Sequence, residues 1–100
     1  MEVQKCHCRY KSTPRSSEMQ KKLQVRLNKA AGQLNGISKM IEDNRYCGDI
    51  LIQIAAVKQA LENLGYEILQ EHMNTCVVEE IKNGNTDIVN EAVALMKKLK

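Results

Sequence analysis

One hundred residues with a formal charge of +3 make one domain, and a domain this small buries little surface alone, which favours assembly. Trp and Phe are absent, Pro occurs once, and the apolar content is Leu, Ile, Val, Ala and Met, which suits helices and argues against a β-sandwich. No apolar run approaches the roughly 18 residues of a membrane span, and Met1–Lys11 lacks the apolar centre of a secretory signal, so the reading is a soluble, cytoplasmic chain without a membrane partner.

In that compartment the four cysteines read as metal ligands or redox thiols rather than disulfides. The net charge hides a gradient. Residues 1–45 carry ten Lys/Arg against four Asp/Glu, whereas residues 46–100 carry five against eight. A basic first half suits a polyanion such as nucleic acid; it equally suits a solvated helix face beside an acidic neighbour.

Residues 1–16 read as a flexible tail, and residues 17–100 as a single helical domain. The tail carries Cys6-His7-Cys8, a chelating pattern for a soft metal that would capture an ion or lend an extra donor. The alternative is a loose segment with no defined site. Ser16 or Ser17 caps the first helix, with Glu18 in its first turn. Leu23, Leu27, Ala30, Leu34, Ile37 and Ile41 then recur at steps of four and three, an apolar seam. Lys22, Arg26, Lys29 and Gln33 lie on one polar side of this helix, where they would contact phosphates or bases or simply face water. Gly32 and Gly36 lower its helix propensity, so another helix or DNA should approach closely there.

Asp43-Asn44-Arg45 ends the seam. A second helix begins near Tyr46–Asp49 and repeats the spacing through Ile50, Ile54, Val57, Leu61, Leu64 and Ile68, then His72 and Cys76, running to about Lys82. Gly65 within it permits close packing or a slight bend. Asn83-Gly84-Asn85 is a C-cap and turn, and Asn85 or Thr86 caps a shorter third helix with Ile88, Ala92, Leu95 and Leu99. The fold class is therefore all-α: a long helical hairpin plus a short C-terminal helix. Each long helix has one apolar face, too little for a closed core, so two hairpins should pack antiparallel as a four-helix-bundle dimer.

Cys47, His72 and Cys76 are the soft-ligand types in this frame. His72 and Cys76, four apart, point one way from neighbouring turns. Cys47 lies 25 residues before His72, roughly 37 Å away on one helix at about 1.5 Å per residue, so a shared metal needs Cys47 from a second copy. Such a sulfur–nitrogen–sulfur set suits trigonal Cu(I); Ni(II) or Zn(II) would take a fourth ligand. Against this stands a plainer reading, with Cys76 an ordinary buried cysteine and His72 an interface histidine. No nucleophile, base and orienting group occur together, so an enzyme is not expected.

The run Arg26-Leu27-Asn28-Lys29-Ala30-Ala31-Gly32-Gln33-Leu34-Asn35-Gly36-Ile37, then Arg45-Tyr46-Cys47, Gln53-Ile54, Ala56, Ala60-Leu61 and Glu71-His72 with Cys76, resembles the signature of the CsoR-type copper-sensing transcriptional repressors of bacteria. The resemblance spans roughly residues 20–80, with Lys29 where Arg often stands. It implies dimers of antiparallel hairpins that pair into a homotetramer. The apo form would bind operator DNA, and Cu(I) at Cys47 of one copy and His72 and Cys76 of another would release it, switching on copper-export genes. It further implies that Tyr46 and Glu91 support the ligands and that Lys58 joins Arg26, Lys29 and Gln33 as a DNA contact. Relatives bound the reading. Nickel/cobalt sensors resembling RcnR carry a His where this chain has Cys76, formaldehyde sensors an N-terminal Pro where Glu2 stands, and persulfide sensors no His72. A nickel sensor using His7, a thiol switch joining Cys47 to Cys76, and a metal buffer or chaperone without DNA remain as rivals.

Overall fold

The computed structural model describes residues 15–99. They form α1 (Ser17–Glu42), α2 (Cys47–His72), a π-helical turn (Met73–Val77), α3 (Val78–Lys82) and α4 (Ile88–Lys98). Since α2, the π turn and α3 run on without a break, there are three helical rods and, among the described residues, no strand. The expected all-α, three-helix chain is thus observed. No helix of the described residues is long and apolar enough to cross a membrane.

The helix ends follow from side chains. Ser16 caps α1, its Oγ accepting from the Met19 N–H at 3.1 Å. The end of α1 is a Schellman motif. Arg45 N–H donates to the Met40 carbonyl at 3.0 Å and Asn44 N–H to that of Ile41 at 3.1 Å, with Asn44 left-handed at φ 54°. The end of α3 repeats it, with Asn85 N–H on the Glu80 carbonyl at 2.9 Å, Gly84 N–H on that of Ile81 at 3.0 Å, and Gly84 at φ 92°. There the side chains of the same two residues also meet. Asn85 Nδ2 donates to Glu80 Oε1 at 2.9 Å, and Glu80 is buried. Asn85 is therefore committed to the turn. Asp87 stands at the N-cap of α4 and makes no side-chain capping bond, so the cap expected from Asn85 or Thr86 does not form.

The π turn interrupts what the spacing predicts as plain α-helix. Val78 N–H reaches back five residues to the Met73 carbonyl. The Thr75 hydroxyl donates to the Glu71 carbonyl at 2.8 Å. A hydroxyl on the carbonyl four residues back competes for the acceptor that the backbone would use, and this bends or widens helices.

The chain forms two compact units. In Ser16–Leu64, α1 and the first part of α2 bury Ala30, Ile37 and Val57. Much of the two seams stays in water: Leu34 is 52% exposed and Ile41 59%, with Leu27, Ile54 and Leu61 also exposed. In the other unit, Arg15 with residues 65–99, the core is Val77, Ile88 and Ala92, with Met73 packed against it. Leu99 packs against Gly65, where a Cβ would come within 2.6 Å of Leu99 Cδ2, so the expected close packing at this glycine is present. Around Gly32 and Gly36 the described chain places nothing within 4 Å.

The two left-handed positions predict opposite substitutions. Gly84→Ala and Asn44→Val should each lower stability by about 1–2 kcal/mol, the cost of a Cβ in the left-handed region, while Asn44→Gly should stay within about 0.5 kcal/mol of the parent. Urea unfolding of the three variants under one set of conditions checks this.

Candidate metal centre

His72 closes α2 and Cys76 lies one turn on, inside the π segment. His72 is half-buried, and its Nε2 is buried without a hydrogen-bond partner. An imidazole nitrogen left unmet in the interior costs about 1–3 kcal/mol, so this atom is poised for a partner from outside the described residues. The ring borders a cavity of about 380 Å³ in the same unit, walled by Gly65, Ile68, Leu69, Leu95 and Leu99. The residue before His72 is held from outside the helix: Arg15 Nε donates to Glu71 Oε1 at 2.6 Å.

Cys76 is buried, and its sulfur is in a disulfide. The sequence reading set metal ligands or redox thiols above disulfides, and Cys76 departs from it. The partner sulfur lies outside the described residues, as do Cys6, His7 and Cys8 as a group. Cys47, the first residue of α2, is an exposed free thiol. Among the described residues, no group of three or more His, Cys, Asp or Glu could hold a metal. The helix thus brings His72 and Cys76 onto adjacent turns, and the described residues give them no third donor.

Tyr46 stands just before α2, and its carbonyl accepts from the Asp49 N–H at 3.0 Å, the first bond of the helix. Its ring lies against Gly48, where an added Cβ would fall 2.5 Å from Tyr46 Cε2. Glu91 is half-buried in the first turn of α4. Neither it nor any other described residue bonds His72 Nε2. Lys22, Arg26, Lys29, Gln33 and Lys58 all fall in the Ser16–Leu64 unit. The four cations are exposed, whereas Gln33 is half-buried, with its Oε1 buried and lacking a partner.

Sequence reasoning stopped the ligand stripe at Cys76. The next step of four is Glu80, a buried acid. A carboxylate continuing an apolar stripe was the available signal, and its partner Asn85 was read only as a cap. The Arg15–Glu71 bond joins residues 56 apart, and no periodicity announces it.

An all-helical chain with an incomplete imidazole–sulfur half-site and a separate cationic helix face has the parts of a ligand-responsive DNA-binding protein. Comparison with known proteins agrees. The profile of the metal-sensitive transcriptional repressor family matches residues 19–98, and the chain belongs to that family. It is 38% identical over 85 residues to the copper-sensing transcriptional repressor CsoR of Bacillus subtilis (strain 168), covering 84% of each chain. It is 42% identical over 59 residues to the copper-sensing transcriptional repressor RicR of Mycobacterium tuberculosis, covering 59% of this chain and 62% of that one. Its fold matches the Cu(I)-bound crystal structure of the copper-sensing repressor CsoR from Geobacillus thermodenitrificans NG80-2, with a TM-score of 0.80 and 39% identity over 87% of this chain and 92% of that one. The nickel-responsive transcriptional regulator InrS matches with a TM-score of 0.63 and 33% identity over 88% and 92%.

Gly48→Ala should push the Tyr46 ring off its seat while leaving the helix at least as stable, because Ala is the better helix former by up to about 1 kcal/mol. Shifted Tyr46 ring resonances with an undiminished melting temperature are the expected result.

Proposed function

We propose that this protein is a Cu(I)-responsive repressor without catalytic activity. The apo assembly holds operator DNA. Occupation of a site made by Cys47 of one copy and His72 and Cys76 of another releases the DNA and derepresses copper-export genes. The observation that carries this reading is the unsatisfied His72 Nε2 on the same helical run as Cys76, with no third donor beside them among the described residues. An antiparallel pair of copies would supply Cys47, and the exposed seams around Leu34, Ile41, Ile54 and Leu61 are the surface such a pair would cover. The donors are soft, and two thiolates with one imidazole suit Cu(I). Cys76 serves only when its disulfide is reduced. The Cu(I) named for the CsoR structure and the copper sensing named for both sequence relatives support the same ion.

On this reading the protein is cytoplasmic, and its dimers pair into a tetramer. Tyr46 and Glu91 support the ligands, and Cys6, His7 and Cys8 are accessory donors. DNA lies along Lys22, Arg26, Lys29, Gln33 and Lys58. The bare surface at Gly32 and Gly36 lets a partner come close beside the unpartnered Gln33 Oε1. The coupling is reciprocal, so DNA weakens metal binding by the factor by which metal weakens DNA binding. A second reading, Ni(II), draws on the match to InrS and on His7 as a fourth donor.

Anaerobic titration of the reduced protein with Cu(I), Ni(II) and Zn(II), followed by anisotropy of labelled DNA from upstream of its gene, decides among the ions. Release at one equivalent of Cu(I) per chain, with Ni(II) and Zn(II) weaker, is expected. DNA binding that never appears would leave only a metal buffer. Cys47→Ser should abolish Cu(I)-driven release while apo DNA binding stays within about threefold of the parent, roughly 0.6 kcal/mol. Arg26→Ala should weaken DNA binding and lower the slope of log affinity against log salt by about one.

A further inference from the structure

The π turn holds two sets of side chains at once. His72 flanks it and Cys76 lies inside it. Met73 and Val77, also inside it, pack with Ile88 and Ala92 of α4. The register of this one turn therefore fixes both the angle between the two donors and the seat of α4. In a plain α-helix of about 3.6 residues per turn, four residues sweep about 400°, so Cys76 would point about 40° past His72. Here the bond from the Val78 N–H to the Met73 carbonyl spans five residues, and a turn closed that way takes more residues per revolution. Four residues then sweep less, and Cys76 swings back toward the direction of His72.

The π closure is rare and needs a cause. Thr75 stands at its centre, exposed, and its hydroxyl donates to the Glu71 carbonyl at 2.8 Å. That carbonyl is the acceptor that the Thr75 N–H would use in an α-helix. Occupation by the side chain loosens the narrow closure in favour of the wide one. Glu71 is itself gripped by Arg15 at 2.6 Å, so the residue bearing the acceptor is anchored. We propose that Thr75 is a positioning residue of the metal site. Through the Glu71 carbonyl it holds the turn in its wide form, and the wide form presents His72 and Cys76 in the converging arrangement that takes a soft cation such as Cu(I). The part about the metal rests on the copper reading above, whereas the hold of the hydroxyl on the turn does not.

Two variants separate the hydroxyl from the shape of the side chain. Thr75→Val removes the hydroxyl and keeps the branch, and the two residues have nearly equal helix propensity. Thr75→Ser keeps the hydroxyl. Crystal structures of the reduced full chain without metal should show the Val78 N–H on the Met73 carbonyl in the parent and in Thr75→Ser, and on the Asn74 carbonyl in Thr75→Val. In solution the Val77 methyl resonances should move in Thr75→Val alone, because the turn carries Val77 against Ile88 and Ala92. The thermal midpoint of Thr75→Val without metal should not fall, since an exposed side chain leaves no cavity. Competition for Cu(I) against a chelator should show affinity about three- to tenfold lower in Thr75→Val, as loss of one uncharged hydrogen bond implies, and within about twofold of the parent in Thr75→Ser. A reduced parent whose turn is already narrow, a Thr75→Val chain that keeps the wide turn, a narrowed turn with Cu(I) affinity unchanged or raised, or an affinity that serine does not preserve would overturn the proposal. A turn that narrows in Thr75→Val, in a protein whose parent binds no Cu(I), would overturn the copper reading and leave Thr75 as the residue that holds the turn.

Discussion

One stretch of helix turns two side chains four residues apart toward a common point, and it cannot bring a third from far along its own length. His72 and Cys76 meet this limit. Their helix is widened between them by the π turn, in which the Thr75 hydroxyl holds the Glu71 carbonyl. Everything else about the site follows from the shortage of donors beside them. A third must arrive on another piece of chain. Widened helical turns are frequent at functional sites, and here the wider turn falls on the two residues whose mutual angle matters most.

One described cysteine is free to be the newcomer. Cys47 heads α2 with an exposed free thiol. Arg15 grips Glu71 next to His72. Oxygen and nitrogen groups nearby are already occupied: Glu80 bonds Asn85 across the turn, and Glu71 bonds Arg15. The buried His72 Nε2 has no partner among the described residues.

Much of the fold was legible in the residues. The break at Asp43-Asn44-Arg45, the Ser16 cap, the turn at Gly84 and the tight spot at Gly65 are local, and each has a short-range cause that a sequence displays. The apolar spacing located both long helices and faces too narrow to close a core in one chain, and much of those faces is exposed in the single chain. Leu34 and Ile41 fit the seam and lie in water, because periodicity marks a face and does not say what covers it. The π turn was not legible, since a threonine hydroxyl turning back on its own helix leaves no mark in the pattern. Nor was the Arg15–Glu71 bond, which depends on where the chain runs between distant positions. At the site, the soft donors announced themselves by type, while the disulfide on Cys76 did not, because four cysteines alone do not disclose their oxidation state.

The uncovered leucines and isoleucines of α1 and α2 have a consequence for how this protein lives. Leu51 and Ile52, at 63% and 65% exposure, sit side by side in a newly made chain that has nothing to hide them. Oily surface on a nascent protomer invites proteases and aggregation. Survival of each molecule then turns on how quickly it finds cover, which makes cellular dosage, and not sequence alone, a determinant of how much sensor persists.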